Sequence, residues 1–356
     1  MFSCDSLSAT PQRPRHLAAT LNLPRPTLLV LAIALLWSPW AAAEEPALAP
    51  AAEPPSSEQP AAEAGAAERP AGARIRKAVT TADFERVVKQ VEKFAAKHTA
   101  AGVLLVMDID NTLLAMNQDL GSDQWFNWQA QLQQDNPRSR DLVARDFPGL
   151  LGVQGELFAL SGMHPPQPEL PALIEQIQDL GVTTVVLTSR GHSFRDAAER
   201  ELTRNGYDFS VSALRIDEAR GLFLPFDANR PDAHGLSAEI IQQIEGRLAP
   251  VSYANGIYMT AGQHKGYMLQ TLLARAIPDN GTLVESRAFR AVVFVDDHEK
   301  HTARVHEALA DSPLDLATFR YSREDGNVAR FNESAKRHVV EDWNRLHRAI
   351  DAVMVR

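Results

Sequence analysis

The chain has 356 residues, of which 45% are hydrophobic, and a formal net charge of −9 at pH 7. An acidic protein is a poor partner for nucleic acid and for anionic membrane surfaces, so we expect neither. The single cysteine, Cys4, excludes a disulfide framework and, once the N-terminus is removed, a cysteine nucleophile.

Residues 1–43 resemble a secretory signal. Arginines precede an apolar run at residues 27–37, and three alanines at 41–43 come just before a pair of glutamates. This order is typical of a cleaved signal peptide, and the apolar run is shorter than the roughly 20 residues of a membrane-spanning helix. We therefore expect cleavage after Ala43, a periplasmic or secreted protein, and no stable membrane insertion afterwards. The alternative is an uncleaved membrane anchor formed by residues 27–43.

Residues 44–73 are predicted to be a disordered linker. They consist almost wholly of alanine, proline, glutamate and serine, without any aromatic side chain. Such a segment cannot bury enough apolar surface to offset the entropy of the chain. The folded domain is therefore expected to cover residues 74–356, which are enough for one large core.

The domain begins with a predicted helix, because apolar residues recur every three or four positions from Phe84 to Ala95. After Gly102, the apolar run at residues 103–107 predicts a strand that is buried on both faces. Similar runs occupy residues 182–187, 291–295 and 314–319, and helical patterns occupy residues 170–177, 193–205 and 265–276. Strands that alternate with helices predict an α/β fold with a doubly wound parallel sheet.

Two intervals are too long for simple crossovers between strands. They cover about residues 113–168 and 207–263. Segments of this size in an α/β domain usually lie over the carboxyl edge of the sheet, where ligands bind. We expect both intervals to be inserted cap segments.

Carboxylates follow two of the predicted strands. Asp108 and Asp110 come directly after the first strand, and Asp296 and Asp297 close the strand at residues 291–295. An ordinary solvated turn is the alternative for each pair. Adjacent carboxylates repel one another, and a hard divalent cation held by oxygen ligands is the usual remedy.

A hydroxyl and an ammonium group complete the pattern. Thr188 follows the strand at residues 182–187, where its hydroxyl can donate to a phosphate oxygen. Lys265 begins a predicted helix, and a cation is unfavourable at this end of the helix dipole unless an anion lies nearby. A helix cap and an exposed lysine are the alternatives for the two residues.

Taken in order, the acid pair, hydroxyl, lysine and second acid pair resemble the motifs of the haloacid dehalogenase superfamily of hydrolases. The matching segments are residues 103–112, 182–188, 265 and 291–297. The resemblance implies a Rossmann-like fold, with Asp108 as nucleophile and Asp110 as general acid and base. It implies that Thr188 and Lys265 bind phosphate. It also implies a Mg²⁺ ion held by Asp108, the main-chain carbonyl of Asp110 and Asp296, with support from Asp297.

The function implied by the resemblance is a magnesium-dependent phosphohydrolase. It would hydrolyse a small phosphate monoester through an aspartyl-phosphate on Asp108. The acid at Asp110 favours phosphoryl chemistry over dehalogenation, because a departing halide needs no proton. Two alternatives stay open: a phosphotransferase or phosphomutase with the same intermediate, and a noncatalytic metal-binding envelope protein.

Other polar and aromatic residues are candidates for contacts with the substrate. We select Asp123, Trp125 and Arg190, although the tryptophan fits the core of the first inserted segment equally well. Zinc binding by His298 and His301 lacks a convincing third ligand. We expect these two histidines to be surface residues.

Overall fold

The structure is a computed structural model that describes residues 74–216, 221–227, 229, 235–244, 248–277 and 289–354. The predicted signal and linker, residues 1–43 and 44–73, lie outside the described residues. Among the helices in the described ranges, none combines the length and the apolar character needed to cross a bilayer.

The described strands form a main sheet of eight and a separate pair. They are β1 (Arg76–Thr81), β2 (Val103–Met107), β3 (Ala115–Met116), β4 (Met163–His164), β5 (Thr183–Thr188), β6 (Leu222–Phe223), β7 (Val251–Ala254), β8 (Ile257–Met259), β9 (Ala291–Asp296) and β10 (Asp315–Tyr321). The main sheet has the order β1-β10-β9-β2-β5-β8-β7-β6, and β3 pairs with β4. The first six strands in this order, β1-β10-β9-β2-β5-β8, all pair in parallel. The last two, β7 and β6, pair antiparallel.

Helices cover both faces of this sheet. The described helices are α1 (Glu85–His98), α2 (Asp123–Asp135), α3 (Phe147–Leu160), α4 (Leu170–Asp179), α5 (Arg195–Arg204), α6 (Ala238–Ile244), α7 (Lys265–Ala274), α8 (Glu299–Ala308), α9 (Asp325–Glu333) and α10 (Arg337–Met354). Alternate residues of β2 contribute to different cores: Leu105 packs with α1, α4 and α5, and Leu104 with α7 and α8. The predicted doubly wound α/β fold is therefore confirmed.

The central strands form as predicted because their side chains are apolar on both faces. All residues of β2 and β9 are buried, as expected for inner strands of a parallel sheet. The predicted helices are present with ends shifted by a few residues. β1 was not predicted, because this edge strand is largely polar and half exposed.

The interval at residues 207–263 differs from the expected cap segment. Its described strands β6, β7 and β8 extend the main sheet next to β5. Asn255 and Gly256 join β7 to β8, with φ angles of 50° and 76°. An Asn-Gly pair readily adopts the left-handed backbone that a tight hairpin needs. This dipeptide was a local signal for the hairpin.

The first interval forms a unit beside the sheet that contains α2, α3 and the pair β3–β4. Its apolar side chains share a cluster with the C-terminal helices: Trp125 and Leu157 pack with Phe331 of α9 and Val339 of α10. The C-terminal helices therefore help to hold the inserted segment in place.

Candidate active site

The two predicted acid pairs lie at the ends of neighbouring parallel strands. β2 pairs directly with β9, and the backbone N–H of Asp108 donates to the carbonyl of Val295 over 3.0 Å. Asp108 and Asp296 are both buried. The carboxyl edge of the sheet thus brings together carboxylates that are 188 positions apart in the chain.

Lys265 lies between these two carboxylates. Its Nζ is 2.8 Å from Asp108 Oδ1 and 2.6 Å from Asp296 Oδ2, and the lysine side chain is 1% exposed. Although burial opposes its charge, the two acids raise the pKa of Lys265 above its ordinary value. The predicted cation and its anionic partners therefore form one buried charge cluster.

The start of α7 fixes the position of Lys265. His264 precedes the helix, and its Nδ1 accepts the backbone N–H of Tyr267 over 3.3 Å. Burial lowers the pKa of His264 to about 4, which keeps the ring neutral and able to accept. At Gly266, a Cβ atom would come within 2.4 Å of the Arg304 carbonyl oxygen. Glycine is therefore needed for the close approach of α7 to α8.

Asp297 completes a group of carboxylates with the geometry of a metal site. Oxygens of Asp108, Asp296 and Asp297 all lie within 4.8 Å of one another. Asp297 Oδ2 accepts the side-chain N–H of Asn111 over 3.2 Å, while Oδ1 is buried without a hydrogen-bond partner among the described residues. A buried acceptor in this state is costly unless a cation or donor meets it.

Burial disfavours the charged form of these carboxylates. Burial raises the pKa of Asp108 to about 7, although Lys265 opposes the shift, and burial also holds the pKa of Asp297 well above its ordinary value. Burial acts likewise on Asp296, but Lys265 and His301 lower its pKa to about 2. A hard cation would stabilise the charged forms, and carboxylate oxygens are ligands that Mg²⁺ prefers, so the residues present fit this ion.

Asp110 contacts Arg190 through both of its carboxylate oxygens. Arg190 Nε is 3.0 Å from Oδ2, and Nη2 is 2.7 Å from Oδ1. The guanidinium also packs over the ring of Phe158 from α3, at 3.8 Å from the ring centre. Such a bidentate pair fixes both position and orientation. Arg190, selected above for substrate contact, thus holds the predicted general acid in this structure.

Thr188 ends β5, which pairs with β2 on the side opposite β9. The threonine is buried, and its Oγ1 accepts the backbone N–H of Arg190 over 3.1 Å. Its main-chain carbonyl accepts from both the N–H and the hydroxyl of Thr260. The hydroxyl proton of Thr188 can still donate to a phosphate oxygen.

Two histidines that were expected to be surface residues contact the acids, and the side chain of His298 is at the same time 44% exposed. His298 Nε2 is 3.1 Å from Asp123 Oδ2, and this hydrogen bond raises the pKa of His298 to about 10 against the effect of burial. His301 Nδ1 is 3.1 Å from Asp296 Oδ1, and its side chain is 20% exposed. Asp123 therefore contacts the histidine that follows Asp297 in the chain.

A family model described as a protein of unknown function, DUF2608, matches residues 80–355. The chain belongs to this family. A search of curated proteins finds no match. The DUF2608 match begins near the end of β1 and extends beyond α10, so it contains all of the candidate site residues.

Within this DUF2608 domain, most of the predicted site residues meet at one edge of the sheet. Lys265 contacts both Asp108 and Asp296, and Asp297 lies within the same group. Trp125 differs, since it is 1% exposed and packs in the cluster shared with the C-terminal helices. Its surroundings favour the alternative role as a core residue.

Three contacts of this site were not predicted from the sequence. The first is the pairing of Arg190 with Asp110, and the others are the hydrogen bonds of His298 and His301. The two histidines lie three residues apart where α8 begins, directly after the acid pair. Their position in the sequence could have predicted these contacts, because one helical turn places both rings near the strand end.

Proposed function

We propose that this chain is a metal-dependent phosphohydrolase of the haloacid dehalogenase type, acting through an aspartyl-phosphate on Asp108. The observation that carries the proposal is the contact of Lys265 with both Asp108 and Asp296, at the ends of two adjacent strands. A solvated acidic turn would not enclose a lysine that is 1% exposed. The order of the four motifs along the chain supports the same conclusion.

In the first step, a carboxylate oxygen of Asp108 forms a bond to phosphorus while the bond from phosphorus to the ester oxygen breaks. Attack by a carboxylate on a phosphate dianion is opposed by charge repulsion. The ammonium of Lys265 and the hydroxyl of Thr188 reduce this repulsion by binding the phosphate oxygens. Lys265 also positions the nucleophile through its 2.8 Å contact.

A divalent cation is part of the proposal, because one ammonium does not neutralise the carboxylates around it. Asp108, Asp296 and Asp297 would hold the ion, as their mutual distances and the buried oxygen of Asp297 allow. When bound, Mg²⁺ supplies positive charge that offsets the charge of the phosphate and of the acids.

Asp110 is assigned the proton transfers. It donates a proton to the departing ester oxygen and then accepts one from the water that hydrolyses the acyl-phosphate. While both oxygens of Asp110 accept hydrogen bonds from the guanidinium, neither is free to carry the proton that the leaving group needs. We therefore propose that Arg190 releases one oxygen when substrate binds. Arg190 Nη1 is buried without a partner among the described residues and is then a candidate phosphate contact.

The test is hydrolysis of p-nitrophenyl phosphate by the purified protein. We expect activity with Mg²⁺, no activity in EDTA, and none in the Asp108→Asn variant. The matched control is Asp179→Asn, the same chemical change at an exposed position at the end of α4, which keeps the activity. Full activity in EDTA or in Asp108→Asn would contradict the mechanism. Transfer of phosphate to an added alcohol would instead support a phosphotransferase.

A further inference from the structure

A cavity of about 300 Å³ lies beside the proposed reaction centre, between the first inserted segment and α9. Its walls are mostly amide and carboxylate side chains, which include Asn111, Asn117, Gln124, Glu324 and Asn327. Among the described residues that line it, Ala115 and Met116 are apolar, and none is phenylalanine, tyrosine or tryptophan. The cavity therefore has an unusually polar lining for a ligand site.

Two of the lining residues connect the cavity to the carboxylate group. Asn111 follows Asp110 in the chain and donates to Asp297 Oδ2 over 3.2 Å. Gln124 follows Asp123, which contacts His298. A phosphate ester that reacts at Asp108 would extend its leaving group toward this cavity. This use of the cavity rests on the proposed function.

A ligand in this cavity needs both hydrogen-bond donors and hydrogen-bond acceptors to match the polar atoms of the lining. Gln124 Oε1 is buried and has no hydrogen-bond partner among the described residues, so it lacks a donor. Glu324 Oε2 accepts the side-chain N–H of Asn327 over 2.7 Å and retains further acceptor capacity. Hydroxyl groups, which both donate and accept, match such a lining better than groups that only accept.

The charges of the cavity disfavour an anionic leaving group. Both oxygens of Asp119 are engaged by Arg330, at 3.1 and 3.0 Å, and His338 adds a contact of 2.9 Å. The positive charge of Arg330 is therefore already compensated, and Glu324 adds a negative charge. A second phosphate or a carboxylate on the substrate would meet repulsion from Glu324.

We infer that this cavity binds the leaving group of a monosaccharide phosphate or short polyol phosphate. Apart from the imidazole of His164, a nucleoside would find no aromatic ring for its base, and an alkyl chain would leave the buried oxygen of Gln124 without a donor. The volume is at the lower end of the range of ligand pockets, which suits a small leaving group. Uncharged hydroxyl groups satisfy the orphaned oxygen of Gln124 without adding charge.

The experiment compares kcat/KM for glucose 6-phosphate, adenosine 5′-monophosphate, 3-phosphoglycerate and p-nitrophenyl phosphate, with Mg²⁺ present. We expect glucose 6-phosphate to exceed the nucleotide and 3-phosphoglycerate, whose leaving group carries a carboxylate, at least about tenfold. In Gln124→Leu, the preference for glucose 6-phosphate over p-nitrophenyl phosphate should fall roughly 5- to 10-fold, the worth of one hydrogen bond to a neutral group. The control Gln131→Leu, on an exposed position of α2, keeps the preference.

Other outcomes overturn the inference. These are a higher kcat/KM for the nucleotide or 3-phosphoglycerate, or an unchanged preference in Gln124→Leu. If no ester is hydrolysed, the proposed function fails, and calorimetry of glucose 6-phosphate binding with Mg²⁺ decides the inference separately. Binding that Gln124→Leu weakens and Gln131→Leu does not would support the cavity assignment. Absence of binding to the unaltered protein would overturn it.

Discussion

Lys265→Met should lower the stability of the protein substantially. Methionine approximates the length of lysine but leaves Asp108 and Asp296 buried, without the ammonium that now lies 2.8 and 2.6 Å from them. Removing one partner of a buried ion pair costs about 3–5 kcal/mol, because the remaining charge is uncompensated. We therefore expect the free energy of unfolding in urea, at pH 8 in EDTA, to fall by roughly that amount.

The loss should depend on pH in a defined direction. The pKa of Asp108 is about 7 with Lys265 present, well above its ordinary value, and loss of the lysine raises it further. Because the folded state then holds a proton that the unfolded chain releases, the variant loses stability as the pH rises above the ordinary pKa. The deficit should be larger at pH 8 than at pH 5.

A surface lysine provides the matched control. Lys89 pairs with Glu85 at 3.6 Å, with side chains that are 71% and 59% exposed. Lys89→Met should cost less than about 1 kcal/mol. Adding Asp296→Asn to Lys265→Met should recover part of the loss by removing one buried charge. A deficit in Lys265→Met no larger than in Lys89→Met would refute the reasoning.

Three further changes test other parts of the structure. Gly266→Ala should lower the unfolding free energy by about 1–3 kcal/mol, since its Cβ meets the backbone of α8, whereas Gly326→Ala, with open space, should raise it by about 0.5–1 kcal/mol. Asp315→Asn should lower the unfolding free energy by about 1–3 kcal/mol at pH 7. Burial opposes the charge of Asp315, but partners on α1 hold its pKa below the ordinary value. The difference in stability between the variant and the unaltered protein should therefore disappear as acid protonates the carboxylate. Arg190→Met should lower kcat for p-nitrophenyl phosphate at least about tenfold, and Arg190→Lys should not restore it, because a single ammonium cannot hold Asp110 and also make the phosphate contact proposed for Nη1. Full rescue by lysine, equal stabilities of the two alanine variants, or a constant effect of Asp315→Asn down to acid pH would contradict these expectations.

The parallel core could be predicted from the sequence because its signal is local. Residues 103–107 and 291–295 are continuous apolar runs, and burial on both faces of a sheet demands this pattern. The placement of Asp108 and Asp296 at one edge followed from the rule that parallel strands end together. Burying Lys265 between them required only that α7 begin at the same edge.

The contacts of individual side chains could not be predicted in the same way. Arg190 contacts Asp110, which lies 80 positions away in the chain. Whether the Arg190 side chain contacts Asp110 or a substrate depends on how the two loops approach each other. His298 likewise finds Asp123 from 175 positions away. Edge strand β1 has few buried residues, so its pairing with β10 leaves little trace in the hydrophobic pattern.

The proposed role of Asp108 is that of the nucleophile whose carboxylate oxygen bonds to phosphorus. Trapping a phosphoryl analogue on Asp108 tests this role most directly. A crystal structure of the protein with Mg²⁺ and beryllium fluoride should contain a beryllium–oxygen bond to the Asp108 carboxylate, with fluorines near Lys265 and Thr188. Asp108→Asn should bind no beryllofluoride at this position, and Asp179→Asn should bind it normally. Beryllofluoride bound to another side chain, or to none, under conditions where Mg²⁺ occupies the site would contradict the account.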